Sequence, residues 1–155
     1  MSSDMQDAFL CFLREGSLAG VRVGSSESEV LAAFGDPEDC DHLPDMKLRL
    51  LFYSSCNLQV SFYGDDCDEA VVYIALYTRY AGLREFHLNG IHSPISLPEP
   101  PITNAVLEYL DSAGIGVKAC GPELEGQESV MTDGGVVLTF NKGLLETLIV
   151  SAIQG

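Results

Sequence analysis

The chain has 155 residues, enough for one domain or two small halves sharing a core. Hydrophobic residues make up 46% and charged residues 20%, which fits a globular protein and excludes a disordered one. Eight bases face 23 acids, a net charge of −15 that repels phosphate backbones and anionic membrane surfaces. The expectation is no nucleic acid and no membrane as partners, and attraction to a basic protein. The first half is the more acidic: 14 acids against four bases up to Thr78, then nine against four.

No apolar run approaches the ~20 residues that span a bilayer. Residues 1–7 carry two acids and no base, unlike the positive start of a secretory signal, so a cytoplasmic location is expected. The five cysteines, Cys11, Cys40, Cys56, Cys67 and Cys120, are widely spaced with no Cys-x-x-Cys, as in a reduced cytosolic protein.

In chain order, residues 4–15 read as a helix with Phe9, Leu10, Phe12 and Leu13 as its apolar stripe, ended by Gly16. A short extended piece covers 18–24. Ser26 with Glu29 three residues on is a capping box, opening a helix that carries Val30, Leu31, Ala33 and Phe34 and stops at Gly35. Residues 36–45 read as an acidic loop. Three strands follow at 47–53, 57–63 and 70–78, an antiparallel meander with turns at 54–56 and 64–69.

Residues 80–101 read as a connector, since Pro94, Pro98, Pro100 and Pro101 resist regular structure. Its apolar residues, including Phe86, Leu88 and Ile91, predict that it packs on the body. The second half repeats the plan. Thr103 caps a helix with Val106, Leu107 and Leu110 that ends at Gly114. An extended piece covers 115–119, and strands follow at 128–132, 136–141 and 144–152. The halves overlay with Gly35 on Gly114, Phe62 on Phe140 and Ile74 on Ile149. The predicted fold is therefore α+β in a single domain, 1–155. It comprises two tandem helix-plus-three-strand antiparallel meander units, 17–79 and 102–155, which share a core and are joined by the connector 80–101, with an extra N-terminal helix.

Chemistry-bearing motifs are sparse. His42, His87 and His92 lack the helical spacing of a metalloprotease, and His87 and His92 fall in the proline-bearing connector. Cys40 and Cys67 lie among acids, which blunt a thiol, and Cys11 reads as core. There is no Gly-x-Ser-x-Gly, and Gly20-x-x-x-Gly24 lacks the lysine of a phosphate loop. The acidic clusters Asp36, Glu38, Asp39, Asp41, Asp45 and Asp65, Asp66, Asp68, Glu69 do not follow the EF-hand order. No catalytic residue, metal or cofactor is assigned.

The positive feature is strand alternation. With Leu48, Leu50, Phe52, Leu58, Val60, Phe62, Val72, Ile74 and Leu76 inward, Arg49, Tyr53, Gln59, Ser61, Tyr63, Tyr73, Ala75 and Tyr77 point outward. Four of the six tyrosines then share one face, where a phenol gives contact area with a polar tip. Asp39, Asp41, Asp65, Asp66, Asp68 and Glu69 would form an acidic rim. The competing expectation is that the connector covers this face.

Residues 20–37, Gly-Val-Arg-Val-Gly-Ser-Ser-Glu-Ser-Glu-Val-Leu-Ala-Ala-Phe-Gly-Asp-Pro, resemble a pattern of small uncharacterised bacterial proteins: glycine, short strand, glycine, polar cap, helix, Gly-x-Pro. With the sheet that follows, this half is similar to the unit of the β-lactamase-inhibitor protein and of the outer-membrane assembly lipoprotein BamE. The resemblance implies a helix-plus-sheet fold that binds a protein across a concave aromatic sheet face. Two departures are expected from it: residues 1–7 do not read as a lipoprotein signal, and the cysteines are not placed for the secreted inhibitor's disulfides. The expected function is a protein-binding module, an immunity-type inhibitor of a basic partner such as a toxin. An enzyme with a site of distant carboxylates or histidines, and a structural or adaptor subunit that forms a homodimer through a sheet edge, remain the alternatives.

Overall fold

A computed structural model describes residues 8–53, 57–64, 69–77, 85–88, 91–94, 98, 101–120 and 126–152. Helix α1 (Ala8–Glu15) buries Phe9, Phe12 and Leu13. Residues 4–7 of the predicted helix lie outside the described residues. Helix α2 (Glu27–Phe34) starts at the predicted capping box: Ser26 Oγ accepts from Glu29 N, and Glu29 Oε1 accepts from Ser26 N at 3.0 Å. It stops at Gly35, whose φ of 76° is left-handed and whose N–H closes on Leu31 O. Helix α3 (Thr103–Ser112) differs at its start. Ile102 is the N-cap without a side-chain bond, and Thr103 instead donates its hydroxyl to Gly143 O, tying the helix to a hairpin.

Eight strands form one antiparallel sheet: β1 (Asp39–Leu43), β2 (Leu48–Tyr53), β3 (Leu58–Tyr63), β4 (Ala70–Tyr77), β7 (Val117–Ala119), β8 (Gln127–Thr132), β9 (Val137–Asn141) and β10 (Leu144–Ser151). Their spatial order is β1-β2-β3-β4-β10-β9-β8-β7. A separate hairpin pairs β5 (Glu85–Leu88) with β6 (Ile91–Pro94). The molecule is thus α+β, with three helices described. Each helix-led half supplies four strands to the sheet, not three. The acidic segment expected to be a loop is an edge strand, β1, and the extended piece at 115–119 is the opposite edge, β7. Polar side chains hid β1, because an edge strand has little apolar surface to declare itself, whereas the extended piece at 115–119 was expected and only its place in the sheet was not. The connector, too, holds regular structure in β5 and β6.

All three helices pack on one face of the sheet. Val30, Phe34, Val106 and Leu110 meet Leu51, Tyr53, Leu58, Val60, Phe62, Ile74, Leu76, Leu138, Phe140 and Leu148 in one buried cluster. Thr132 Oγ1 donates to Leu13 O at 2.6 Å and accepts from Val136 N, which pins α1 to the β8–β9 turn. The central β4–β10 pairing sets Ala75 against Ile149 and Ile74 against Val150. Ile149 is therefore on the opposite face from Ile74, and the expected overlay of the two is off by one residue. Among the described residues no helix is long and apolar enough to cross a membrane.

Candidate functional site

The side of the sheet away from the helices carries the candidate site, and its membership follows from register. Directly opposed residues share a face. Tyr53 pairs with Leu58 and Leu51 with Val60, so Tyr53 belongs to the helix side, contrary to the expected phase of β2. Its ring is fully buried edge-on to Phe34, centroids 5.7 Å apart, and its hydroxyl donates to Gly35 O at 2.9 Å. A helix C-terminal carbonyl that would otherwise lack a partner makes burial of this phenol affordable.

Arg49 moves with it. Its guanidinium lies 5.2 Å from the centre of the Phe62 ring and bridges Glu27 on α2 (2.5 Å) and Glu69 (3.0 Å). The two carboxylates raise its pKa further, chiefly the hydrogen bond to Glu27, and the same bond holds Glu27 below its ordinary range. Glu69 is only 14% exposed in this bridge. It is a tie between the sheet and α2, not part of an acidic rim. The expected phase failed because Leu48, Leu50 and Phe52 outweigh Arg49, Leu51 and Tyr53 in apolarity. The helix side nevertheless accepts the latter, since each polar tip there has a partner.

Leu48, Leu50 and Phe52 are instead half-buried on the outer face, opposite Tyr63, Ser61 and Gln59. Val72, expected inward, falls in a bulge between the Ser61–Tyr73 and Phe62–Val71 pairs, so Val71 takes the core place. Beyond the bulge the expected outer set holds. Tyr63 is 51% exposed, Tyr73 and Tyr77 are half-buried, and Ala75 forms a buried floor beside them. The polar tips form a chain. Tyr73 Oη and Tyr77 Oη are 3.3 Å apart, Tyr77 Oη donates to Gln59 Oε1 at 3.2 Å, and Gln59 Nε2 donates to Ser61 Oγ at 3.3 Å. Burial, and then the bond with Tyr77, push the Tyr73 phenol up, so it stays protonated.

The face continues across β10 and β9 as Thr147, Ile149, Ser151, Val137, Thr139 and Asn141, with Ser129 Oγ 3.3 Å from Thr139 Oγ1 on β8. None of these outer residues of β3, β4, β10 and β9 is charged, on a chain of net charge −15. Glu146, in the β10 bulge, accepts from Asn141 Nδ2 at 3.3 Å. Sequence reasoning missed the hydroxyls of β9 and β10 because it looked for aromatics, although the alternation in 137–141 displays them.

Of the expected rim, Asp39 and Asp41 are exposed on β1, on the outer side opposite Phe52 and Leu50. Asp65, Asp66 and Asp68 lie outside the described residues. The expected covering of this face by the connector meets one observation: β6 runs beside α1, on the helix side. The hairpin register sets His87 opposite His92, a pairing their spacing in a proline-bearing stretch did not announce. Comparison with known proteins finds no matching family model, curated protein or solved structure.

Among the described residues no group of three histidine, cysteine or carboxylate side chains is placed to hold a metal ion. Cys11, Cys40 and Cys120 are free thiols. Burial, and then the hydrogen bond to Glu15, push Cys11 up, and burial does the same for Cys120, so neither is an activated nucleophile. What the outer face offers is contact: aromatic and aliphatic area beside a run of neutral hydroxyls and amides. This is the composition of protein-recognition surfaces, in which tyrosine supplies area and serine, threonine and asparagine adapt their hydrogen bonds.

Proposed function

We propose that this chain is a cytoplasmic protein-binding module, an immunity-type inhibitor that takes a basic protein partner such as a toxin on the outer face of its sheet. The observation that carries the reading is the neutral, tyrosine-bearing surface of β3 and β4, centred on Tyr63, Tyr73 and Tyr77. Charge is depleted where contact would be made and abundant elsewhere, which is how interfaces divide the labour between a desolvated centre and long-range attraction. Asp39 and Asp41 stand at one margin, where a partner's lysines or arginines would meet them.

The tandem reading belongs with this proposal. Each of α2 and α3 precedes a four-strand meander, and β4 and β10 join the two at the centre of the sheet. Two such units in series, as the resemblance to the β-lactamase-inhibitor protein implies, would give a face wide enough for a protein.

The test is affinity capture from the source organism's lysate, followed by calorimetry with the purified basic protein so obtained. Tyr63→Ala and Tyr77→Ala are expected to weaken that binding about tenfold or more each, the range of an interface hot spot. If both variants keep their fold and bind as tightly as the parent, the face is wrong.

A further inference from the structure

The two edges of the sheet are finished differently. On β1 the N–H groups of Cys40 and His42 point away from β2, since pairing to β2 uses residues 39, 41 and 43. Both are already taken: Asp39 Oδ1 accepts from Cys40 N at 2.9 Å and Asp41 Oδ1 from His42 N at 3.0 Å. A docking strand would find its donors occupied and two carboxylates in its path.

On β7 the bonds Asp133 N to Gly116 O and Cys120 N to Ser129 O assign residues 116, 118 and 120 to pairing with β8. The N–H and C=O groups of Val117 and Ala119 therefore face outward, and no carboxylate caps them among the described residues. Val117 is 39% exposed. Beside this edge lies a cleft of about 450 Å³, lined by Gly116, Val117, Lys118 and residues 131–135. Asp133 sits in it. Its Oδ2 accepts from Gly116 N at 2.9 Å, and its carboxylate fills the place a Gly116 side chain would occupy. Lys118, exposed on the same side, has no carboxylate partner among the described residues.

We infer that the open β7 edge pairs with the β7 edge of a second copy of this chain, antiparallel, with Val117 on the two-fold axis. In that register Val117 exchanges two main-chain hydrogen bonds with its counterpart, and the two exposed valine side chains cover one another. Lys118 of each copy stands opposite Gly116 of the other, on the face where Asp133 replaces a side chain, so its ammonium enters the cleft and meets that carboxylate. The interface is isologous and forms each ion pair twice. A register shifted to centre on Lys118 would oppose the two lysines, and charge excludes it. The strand is three residues long, so the contact belongs to the small, weak class, and the −15 on each copy opposes it, though charges further apart than a Debye length of about 8 Å are largely screened. The result is a concentration-dependent dimer with a continuous sixteen-stranded sheet.

Sedimentation equilibrium of the full chain in about 0.15 M salt, from about 10 µM to 1 mM, reads this directly. The expected result is a monomer–dimer equilibrium whose Kd rises at least tenfold in Lys118→Glu, which reverses the charge facing Asp133. Ala119→Asp, which adds a carboxylate to the open edge, weakens it as well, while Tyr63→Ala leaves it unchanged. Circular dichroism checks that each variant is folded. A chain that is monomeric throughout the range overturns the inference, as does a dimer whose Kd changes less than twofold in Lys118→Glu. Either result leaves the reading of the outer face standing, because the two surfaces share no residue.

Discussion

Tyr53 and Tyr63 sit ten residues apart on neighbouring strands, and only one of them is structural. Tyr53→Phe keeps the ring against Phe34 and deletes the hydroxyl that donates to Gly35 O. That carbonyl belongs to the C-cap residue of α2, and with the ring still filling the site it loses the phenol as its donor. The loss is one buried hydrogen bond with its acceptor left behind, about 1–2 kcal/mol. For a chain of this length each kcal/mol moves the melting temperature by about 2–4 °C, so a fall of about 2–8 °C is expected. Tyr53→Ala opens a cavity as well and costs about 3–5 kcal/mol. Tyr63→Phe changes an exposed tip and stays within about 0.5 kcal/mol of the parent. Thermal melts and urea titrations of the three variants measure these differences. If Tyr63→Phe destabilises as much as Tyr53→Phe, the assignment of β2 to the helix side is refuted.

Gly134 comes so close to α1 that an added Cβ would lie 2.6 Å from Arg14 C and Glu15 N. Gly134→Ala must push the helix off the β8–β9 turn, and a loss of about 1–3 kcal/mol in urea titration is expected. Arg49 holds Glu27 below its usual pKa of 4.5, chiefly through their hydrogen bond. A lowered folded-state pKa adds stability that is fully present above the ordinary value and is lost as pH falls through the folded one. Stability is therefore expected to decline below about pH 4.5, and more shallowly in Glu27→Gln. Glu27 is 40% exposed, so the bridge contributes no more than about 1 kcal/mol, measured by melts from pH 3 to 7.

Local signals in the sequence were read well where one short segment decides its own structure. Ser26, Glu29 and Gly35 define α2 without help from the rest of the chain, and residues 58–62 alternate cleanly because both faces of β3 are committed. Reading failed where a distant partner decides. Tyr53 and Arg49 look like surface residues until Gly35, Glu27 and Glu69 are seen to receive them. Val72 looks like core until the bulge opposite Ser61 and Phe62 shifts it by one. β1, paired on one side only, carries little apolar residue to mark a strand, and its acids suggest a loop; the extended piece at β7 is legible, but its place at the opposite edge is set by distant β8. The candidate face was legible in part: Tyr63, Tyr73 and Tyr77 belong to it. Tyr53, Arg49 and Glu69 do not, and Leu48, Leu50 and Phe52 join it.

This exchange sharpens the binding proposal. With Arg49 and Glu69 paired to each other on the helix side, the outer face of the four central strands holds phenols, hydroxyls, amides and aliphatic groups, with the Glu146 carboxylate bonded to Asn141 at its β9–β10 end. Such a surface contributes short-range contact that salt does not screen. The charge that attracts a basic partner resides elsewhere and acts during approach. Association and dissociation should therefore separate. Raising salt from about 0.05 to 0.5 M is expected to lower the association rate constant about tenfold or more, and to leave the dissociation rate constant within about twofold. Stopped-flow measurement with the captured basic protein resolves the two. If dissociation instead accelerates with salt in step with the loss of affinity, the contact is made by charged groups. The neutral face of β3 and β4 is then not where the partner sits.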